Sequence, residues 1–280
     1  MTLPTGTISL SQVNTEMNRP ETETRSLDDN YVTTLTGGAR DMNSLRGKSR
    51  SSGGVDLGNG GTFTVPLGVV SIYIQIEGAH GGTGGNDVYG GQVGWNGNRV
   101  YGNISVSAGQ VFTAMVGANG TNGVNGRGGT HGSGGASSSP TNGENYAGGN
   151  GGDAGTYYKS NSGGGAGGGG ASGLYLGGTT IAIAGGGGGG GGAGSNGGIK
   201  GQQGIYVAGH VGRTGVGGGN ADFGGCGGGG GGWSGGSGGT SVVQDYFGYP
   251  GTNGSNLVPA GLTQDNTGQT KANARVYIGW

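Results

Sequence analysis

Cysteine, charge and apolar residues are all scarce in this chain. Cys226 is the single cysteine of the 280 residues, so no internal disulfide can form, and we interpret it as a small buried residue. Only 30% of the residues are hydrophobic, too few for an ordinary core at this length. The 13 basic and 14 acidic residues nearly cancel. We therefore expect no nucleic-acid partner, because nothing supplies the positive patch that phosphates require.

Long apolar runs are also missing. The longest, residues 69–76, is far below the roughly 20 residues that a membrane helix needs. The N-terminus does not have the basic, apolar and small-residue parts of a signal peptide. These absences predict neither a membrane anchor nor a cleaved leader.

Residues that would mark a catalytic or metal site are scattered. The three histidines, His80, His131 and His210, form no i, i+4 pair and have no cysteine nearby, so we expect no metal and no cofactor. A pair of carboxylates could in principle cleave glycans, but the acidic residues Glu144, Asp153, Asp245 and Asp265 show no spacing that supports one. The sequence thus predicts a non-enzymatic protein, with a glycan-cleaving enzyme as an alternative.

Glycine is what the chain has in excess, at 83 residues. A collagen helix is excluded because the strict Gly-X-Y repeat is missing and only six prolines are present. A flexible linker is disfavoured because short apolar pieces interrupt the glycine, at residues 174–176, 181–183 and 205–207. This spacing indicates an ordered assembly with small hydrophobic anchors.

The longest glycine runs predict a particular backbone. Residues 163–170 contain only one other residue, Ala166, and residues 185–192 and 227–232 are glycine throughout. Polyglycine can adopt a left-handed threefold helix like polyproline II, rising roughly 3.1 Å per residue without internal hydrogen bonds. Without a Cβ, neighbouring helices can approach and pair through their backbones. We expect a sandwich of polyglycine-II helices in which these hydrogen bonds replace the core.

Strands are predicted on either side of the glycine runs. Residues 70–76 alternate apolar and polar side chains, as in a half-buried strand, after a turn at Leu67 and Gly68. Residues 103–107 and 111–116 fit a hairpin with a three-residue loop. A last strand at 274–278 is placed to close a sheet. The predicted fold is therefore mainly β with the polyglycine-II sandwich. The Asn-Gly pairs at Asn119 and Asn253 are interpreted as turns.

The first 52 residues hold nearly all the helical signal. Ser9 and Gln12 have the spacing of a capping box, and Ser26 and Asp29 repeat it. We divide the chain into an N-terminal helical attachment segment, 1–52, and a glycine-rich β/polyglycine-II domain, 53–280. Two short amphipathic helices and a further turn at residues 42–45 bury too little to fold alone, so this segment is expected to dock on a partner or on copies of itself. Its candidate attachment residues are Leu10, Val13, Met17, Leu27, Tyr31, Val32 and Leu35.

The N-terminal pattern resembles a known segment. Residues 5–16, with Ser26-Leu27-Asp28-Asp29 and Leu45-Arg46-Gly47-Lys48-Ser49, look like an N-terminal segment frequent in tailed-phage tail and fibre proteins. The resemblance covers about 45 residues. It implies attachment to other phage tail or fibre proteins.

The rest of the chain carries a second resemblance. Phe63-Thr64-Val65-Pro66, the strand running into Gly81-Gly82, and Ser107-Ala108-Gly109-Gln110 are similar to the glycine-rich domain of phage tail proteins and to the distal adhesins of T-even-like fibres. That family has a polyglycine sandwich whose variable tip loops bind outer-membrane proteins or lipopolysaccharide. The resemblance implies a virion protein of the tail tip or fibre, and the threefold symmetry of such structures implies a homotrimer.

Aromatic and polar residues between the glycine runs are the candidate receptor contacts. Aromatic side chains on a glycine surface are suited to stacking on sugars or anchoring in a receptor groove. Each could instead cap an end of the bundle, and Trp233 could be a plug. The alternative function is a structural tail-tip or decoration protein without receptor binding. The candidates are Tyr89, Trp95, Tyr157, Tyr158, Lys159, His210, Arg213, Asp222, Phe223, Trp233, Tyr246, Phe247 and Tyr249.

Overall fold

The computed structural model describes residues 9–16, 53–86, 90–126, 132–136, 144–152, 163–193, 224–239, 248–266 and 273–280. Within the N-terminal segment, α1 spans Leu10–Glu16. The attachment candidates Met17, Leu27, Tyr31, Val32 and Leu35 lie outside the described residues, as does the second predicted helix.

The capping box predicted for α1 is present. The backbone N–H of Ser9 donates to Gln12 Oε1 at 2.8 Å, and the N–H of Gln12 donates to Ser9 Oγ at 3.3 Å. Two N-terminal donors of the helix are thereby satisfied. Val13, one turn beyond the start, is fully buried.

The chain is mainly β, as predicted, and its strands form two antiparallel sheets. The five-stranded sheet has the order β1-β9-β3-β4-β8, and the four-stranded sheet has the order β2-β5-β6-β7. The strands are β1 Gly54–Leu57, β2 Thr62–Thr64, β3 Ser71–Glu77, β4 Arg99–Ser105, β5 Val111–Met115, β6 Ser172–Leu176, β7 Thr179–Ala184, β8 Thr263–Asp265 and β9 Arg275–Gly279.

A conventional hydrophobic core lies between the sheets. Strand alternation puts Ile72, Ile74 and Ile76 of β3 on one face, where they are at most 1% exposed. They pack in one cluster with Phe112 of the other sheet and with Ile278 of β9. The predicted closing strand is confirmed, because β9 pairs with both β1 and β3.

The hairpin predicted from residues 103–107 and 111–116 is wrong. β4 pairs with β3 and β8, whereas β5 pairs with β2 and β6 in the other sheet. The turn between them carries Gly109 at a φ of +83° and passes the chain from one sheet to the other. A short glycine-containing loop fits a hairpin and a crossover between sheets equally well, so local sequence did not distinguish them.

Glycine-rich segments continue the strands of both sheets. Residues 78–86 follow β3 directly, residues 90–98 lead directly into β4, and residues 185–193 follow β7. These segments are neither helix nor strand, and they hydrogen-bond to one another instead. We call them together the glycine array, which comprises residues 78–86, 90–98, 117–126, 132–136, 144–152, 163–171, 185–193, 224–233, 234–239 and 248–256.

Hydrogen bonds within the glycine array recur at every third residue. The N–H groups of Gly163, Ala166 and Gly169 donate to segment 185–193, at 2.8–2.9 Å. The next residues, Gly164 and Gly167, donate to segment 117–126, and the residues after those donate to segment 144–152. The carbonyls of 163–171 accept in the same rotation from segments 224–233, 78–86 and 132–136. This central segment thus bonds to neighbours all round its axis.

Close packing explains why so many of these positions are glycine. An added Cβ at Gly167 would fall on the backbone of Ser133, and one at Gly187 would fall on the carbonyl of Trp95. The clashing atoms are backbone, which cannot rotate away as a flexible side chain could. Glycine is therefore a packing requirement in the array.

A second apolar cluster lies where the array meets the sandwich. Met115, Tyr146, Tyr175 and Ile183 are fully buried there, and Trp233 packs against them. Trp233 is the last residue of segment 224–233 and donates its N–H to the carbonyl of Ser255 at 3.0 Å. The cluster covers the ends of the glycine segments that face the sheets.

Candidate functional site

The glycine array has one end that faces the sheets and one that faces away from them. We call the end that faces away the distal end, and several described segments end there. Gly126 donates to the carbonyl of Asn86, Gly163 donates to that of Ala193, and Gly248 donates to that of Gly192. Gly151, Gly152 and Gly239 donate to the carbonyls of Gly132, Cys226 and Gly227. In this register, segments 132–136, 144–152, 224–233 and 234–239 also have an end on the distal side. Described segments therefore end and resume repeatedly at this end.

Most of the receptor candidates belong to the connections between these ends. The connections 87–89, 153–162, 194–223 and 240–247 lie outside the described residues. The candidates in them are Tyr89, Tyr157, Tyr158, Lys159, His210, Arg213, Asp222, Phe223, Tyr246 and Phe247. Their contact role stays a prediction, but both flanks of each connection are described at the distal end.

The structure describes three further candidates, and they occupy different places. Tyr249 is half-buried beside the distal end, with its carbonyl accepting from Gly227 at 2.7 Å. Trp95 is half-buried midway along segment 90–98, where it bonds through its backbone to Gly188 and Gly81. Trp233 lies at the opposite end, against the cluster that faces the sheets. Its position favours the plug that the sequence left open.

Asparagine side chains form part of the array that the sequence interpretation missed. Asn119, Asn122 and Asn125 follow one another at three-residue spacing, and their Oδ1 atoms accept the backbone N–H groups of His80, Thr83 and Asn86 at 3.3, 2.8 and 2.7 Å. The interpretation of the Asn-Gly pairs at Asn119 and Asn253 as turns is wrong, because both lie in extended, hydrogen-bonded segments. The repeated X-Asn-Gly triplet of residues 118–126 was the available signal.

Buried asparagines also join segments of the array to one another. Asn253 is 3% exposed and accepts from the N–H of Gly188 at 2.9 Å. Its Nδ2 donates to the carbonyl of Asn96 and to Oδ1 of Asn98, both at 3.1 Å. An amide suits this place because it both accepts and donates.

Two buried acidic groups have raised pKa values. Burial raises the pKa of the Cys226 thiol, and the hydrogen bond with the Tyr249 backbone opposes this. Burial also raises the pKa of Tyr146, and the hydrogen bond from its hydroxyl to Glu144 adds to the shift. Both groups are therefore held neutral in the folded chain, which fits structural roles.

The outer face of the five-stranded sheet is a second polar surface, at the other end from the distal connections. Arg99 binds Asp265 at 2.9 Å and lies 4.8 Å from the centre of the Tyr101 ring. Arg275 binds Asp56 at 2.9 Å and lies 5.2 Å from the Tyr277 ring. Each of these two arginines is therefore paired with an aspartate of the same chain.

Across the described residues, no group of three or more histidine, cysteine, aspartate or glutamate side chains could hold a metal ion. No helix in the described part of the chain is long and apolar enough to cross a membrane. Comparison with models of known protein families finds no match, and no curated protein matches the chain.

Proposed function

We propose that this chain is a non-enzymatic virion protein of a phage tail tip or tail fibre that adsorbs to the host cell surface. The glycine array is a bundle of polyglycine-II helices, and the connections at its distal end are the contact surface. The N-terminal segment attaches the protein to other tail or fibre proteins. The receptor is an outer-membrane protein or lipopolysaccharide, and a homotrimer is the expected assembly.

The period-three hydrogen bonds support the polyglycine-II part of the proposal. A threefold helix turns each successive N–H by a third of a turn, so that every third residue faces the same neighbour. Segment 163–171 has this arrangement, with Gly163, Ala166 and Gly169 bonded to one neighbour and Gly164 and Gly167 bonded to the next. At the usual rise of roughly 3.1 Å, its nine residues extend about 25 Å.

The convergence of segment ends is the observation that carries the recognition proposal. A rigid frame that repeatedly releases the chain at one end allows loops to differ while the frame stays constant. Segments 78–86, 144–152, 185–193 and 234–239 each run toward the distal end. The connections that follow them are rich in tyrosine and phenylalanine, which supply contact area at low entropic cost.

A structural tail-tip role remains the second candidate, favoured by the position of Trp233. This aromatic candidate is half-buried and packs against the apolar cluster that faces the sheets. If the other aromatic candidates served only to close the array, the protein would decorate the tail without contacting a receptor.

Binding of the purified, fluorescently labelled chain to intact bacteria tests the proposal. We expect saturable binding to the host strain and competition by either lipopolysaccharide or an outer-membrane protein extract. The variant Tyr157→Ala/Tyr158→Ala, in a distal connection, should weaken binding by at least about tenfold, or about 1.4 kcal/mol.

The matched control is Tyr101→Ala, on the outer face of the five-stranded sheet. It removes an equally aromatic, half-buried side chain at the opposite end of the molecule and should leave binding unchanged. Absence of saturable binding by a folded protein would overturn the recognition proposal in favour of the structural role. Equal losses for the two variants would contradict the distal assignment.

A further inference from the structure

Asparagine side chains deamidate fastest when glycine follows them, and the glycine array contains several such Asn-Gly pairs. The N of the glycine attacks the asparagine Cγ, the C–N bond to the side-chain amide breaks and ammonia leaves. Water then opens the resulting succinimide to aspartate or isoaspartate. The reaction needs a free glycine N–H and an asparagine side chain able to fold back onto it.

The array holds both reacting groups at successive pairs. Asn119, Asn122 and Asn125 are fixed through Oδ1 by the N–H groups of segment 78–86. The glycine that follows each asparagine donates its own N–H to the same segment, at 3.0, 2.9 and 2.9 Å. The side chain that would be attacked and the N–H that would attack it are thus both engaged in hydrogen bonds to a neighbouring segment.

The same double bonding recurs elsewhere in the array. Asn150 Oδ1 accepts from Gly134 while Gly151 donates to the carbonyl of Gly132. Asn253 Oδ1 accepts from Gly188 while Gly254 donates to the carbonyl of Gly186. The arrangement therefore follows from the geometry of the array and not from one local contact.

We propose that the array locks these Asn-Gly pairs against deamidation. Asn122 and Asn125 are exposed to solvent, so exclusion of water does not explain the protection. Attack requires both hydrogen bonds of a pair to open together, and the local opening equilibrium then sets the rate. In the virion protein proposed above, such a lock would preserve the array while the virion is outside a cell.

Residue-resolved peptide mapping by mass spectrometry tests the lock. The full chain is incubated at mildly alkaline pH, folded or unfolded in denaturant, and deamidation is followed at Asn119, Asn122 and Asn125. We expect each rate to be at least about tenfold slower in the folded chain, equivalent to about 1.4 kcal/mol of opening free energy. Equal rates in the two states would overturn the proposal.

A single substitution separates the lock from general folding. Thr83→Pro removes the N–H that holds Asn122 Oδ1 but keeps the Thr83 carbonyl that accepts from Gly123. Proline suits an extended backbone, and Thr83→Val is the control that keeps the N–H. We expect Thr83→Pro alone to speed deamidation at Asn122, leaving Asn119 and Asn125 slow.

The pattern across the three asparagines decides the outcome. Acceleration at all three equally, or at none, in a folded Thr83→Pro protein would contradict a lock made at each pair. If Thr83→Pro does not fold, the folded and unfolded rates of the unsubstituted chain still decide the proposal.

Discussion

The sandwich and the glycine array lie end to end in one chain but are held together by different forces. In the sandwich, apolar side chains such as Ile74 and Phe112 are removed from water between two sheets. In the array, the buried material is backbone, and its N–H and C=O groups pair between segments. Burial of side chains tolerates repacking, whereas burial of backbone at this spacing leaves no room for a Cβ at positions such as Gly167 and Gly187.

The largest effect is expected from adding methyl groups inside the array. In Gly187→Ala/Gly190→Ala, the new Cβ atoms would meet the carbonyls of Trp95 and Gln92. Overpacking usually costs about 1–3 kcal/mol per site, and a Cβ that falls on backbone, which cannot rotate away, belongs near the upper end of that range. We expect a loss of about 5 kcal/mol in the free energy of unfolding, measured by denaturant titration.

Gly58→Ala is the control for this prediction. Gly58 belongs to a loop of the sandwich, and a Cβ there would have no atom within 4 Å. It should change the free energy of unfolding by less than about 1 kcal/mol. A double variant as stable as this control would show that the array does not depend on close backbone approach.

Ile74→Ala tests the sandwich by the opposite operation, the removal of atoms. Ile74 is fully buried at the centre of β3, between β4 and β9. Such a truncation costs about 2–5 kcal/mol because apolar contact is lost and a cavity remains. Ile74→Val should cost about 1 kcal/mol. If Ile74→Ala lost less stability than Ile74→Val is expected to lose, that result would argue against a conventional core.

The sequence predicted the parts of the fold that depend on local periodicity. The alternation in β3 and the capping box at Ser9 could be predicted because residues close in sequence determine them. The pairing of β4 and β5 was not, since sheet membership depends on distant partners. The asparagine contacts were missed for the same reason: Asn122 bonds to Thr83, 39 residues away. The candidate contacts could be listed from aromatic content, but the convergence of the segment ends that flank most of them required the register of the segments.

Asn253 lies within the array, and its side-chain oxygen accepts a backbone N–H as a carbonyl group would. Asn253→Ala would leave the N–H of Gly188 buried without an acceptor, at a cost of about 1–3 kcal/mol. Asn150→Ala is the control, because Asn150 is exposed and water can replace its bond to Gly134. Thermal unfolding of both variants should show the larger loss for Asn253→Ala.

Tyr146, in the cluster where the array meets the sandwich, makes the stability of the fold depend on pH. Its pKa is raised from an ordinary value of 10.0 by burial and by its hydrogen bond to Glu144. The unfolded chain ionises this hydroxyl at its ordinary pKa while the folded chain resists, so stability is full below that pH and falls as pH rises above it. Tyr146→Phe should be less stable by about 1 kcal/mol near neutrality. The gap should narrow above the ordinary pKa in denaturant titrations across pH, and a constant gap would contradict the shift.

Gly90→Ala has the smallest expected effect and the opposite sign from the other glycine changes in the array. Gly90 begins segment 90–98, is exposed, and has no atom within 4 Å of a Cβ built on it. Alanine there restricts the unfolded chain without disturbing the folded one, and typically stabilises by about 0.4–1 kcal/mol. A small rise in the melting temperature would therefore separate two uses of glycine within one segment, since Gly94 and Gly97 of the same segment would place a Cβ on backbone. A loss as large as that from Gly187→Ala/Gly190→Ala would mean that the array needs glycine for its conformational freedom throughout. Close packing would then not be what distinguishes the array from the sandwich.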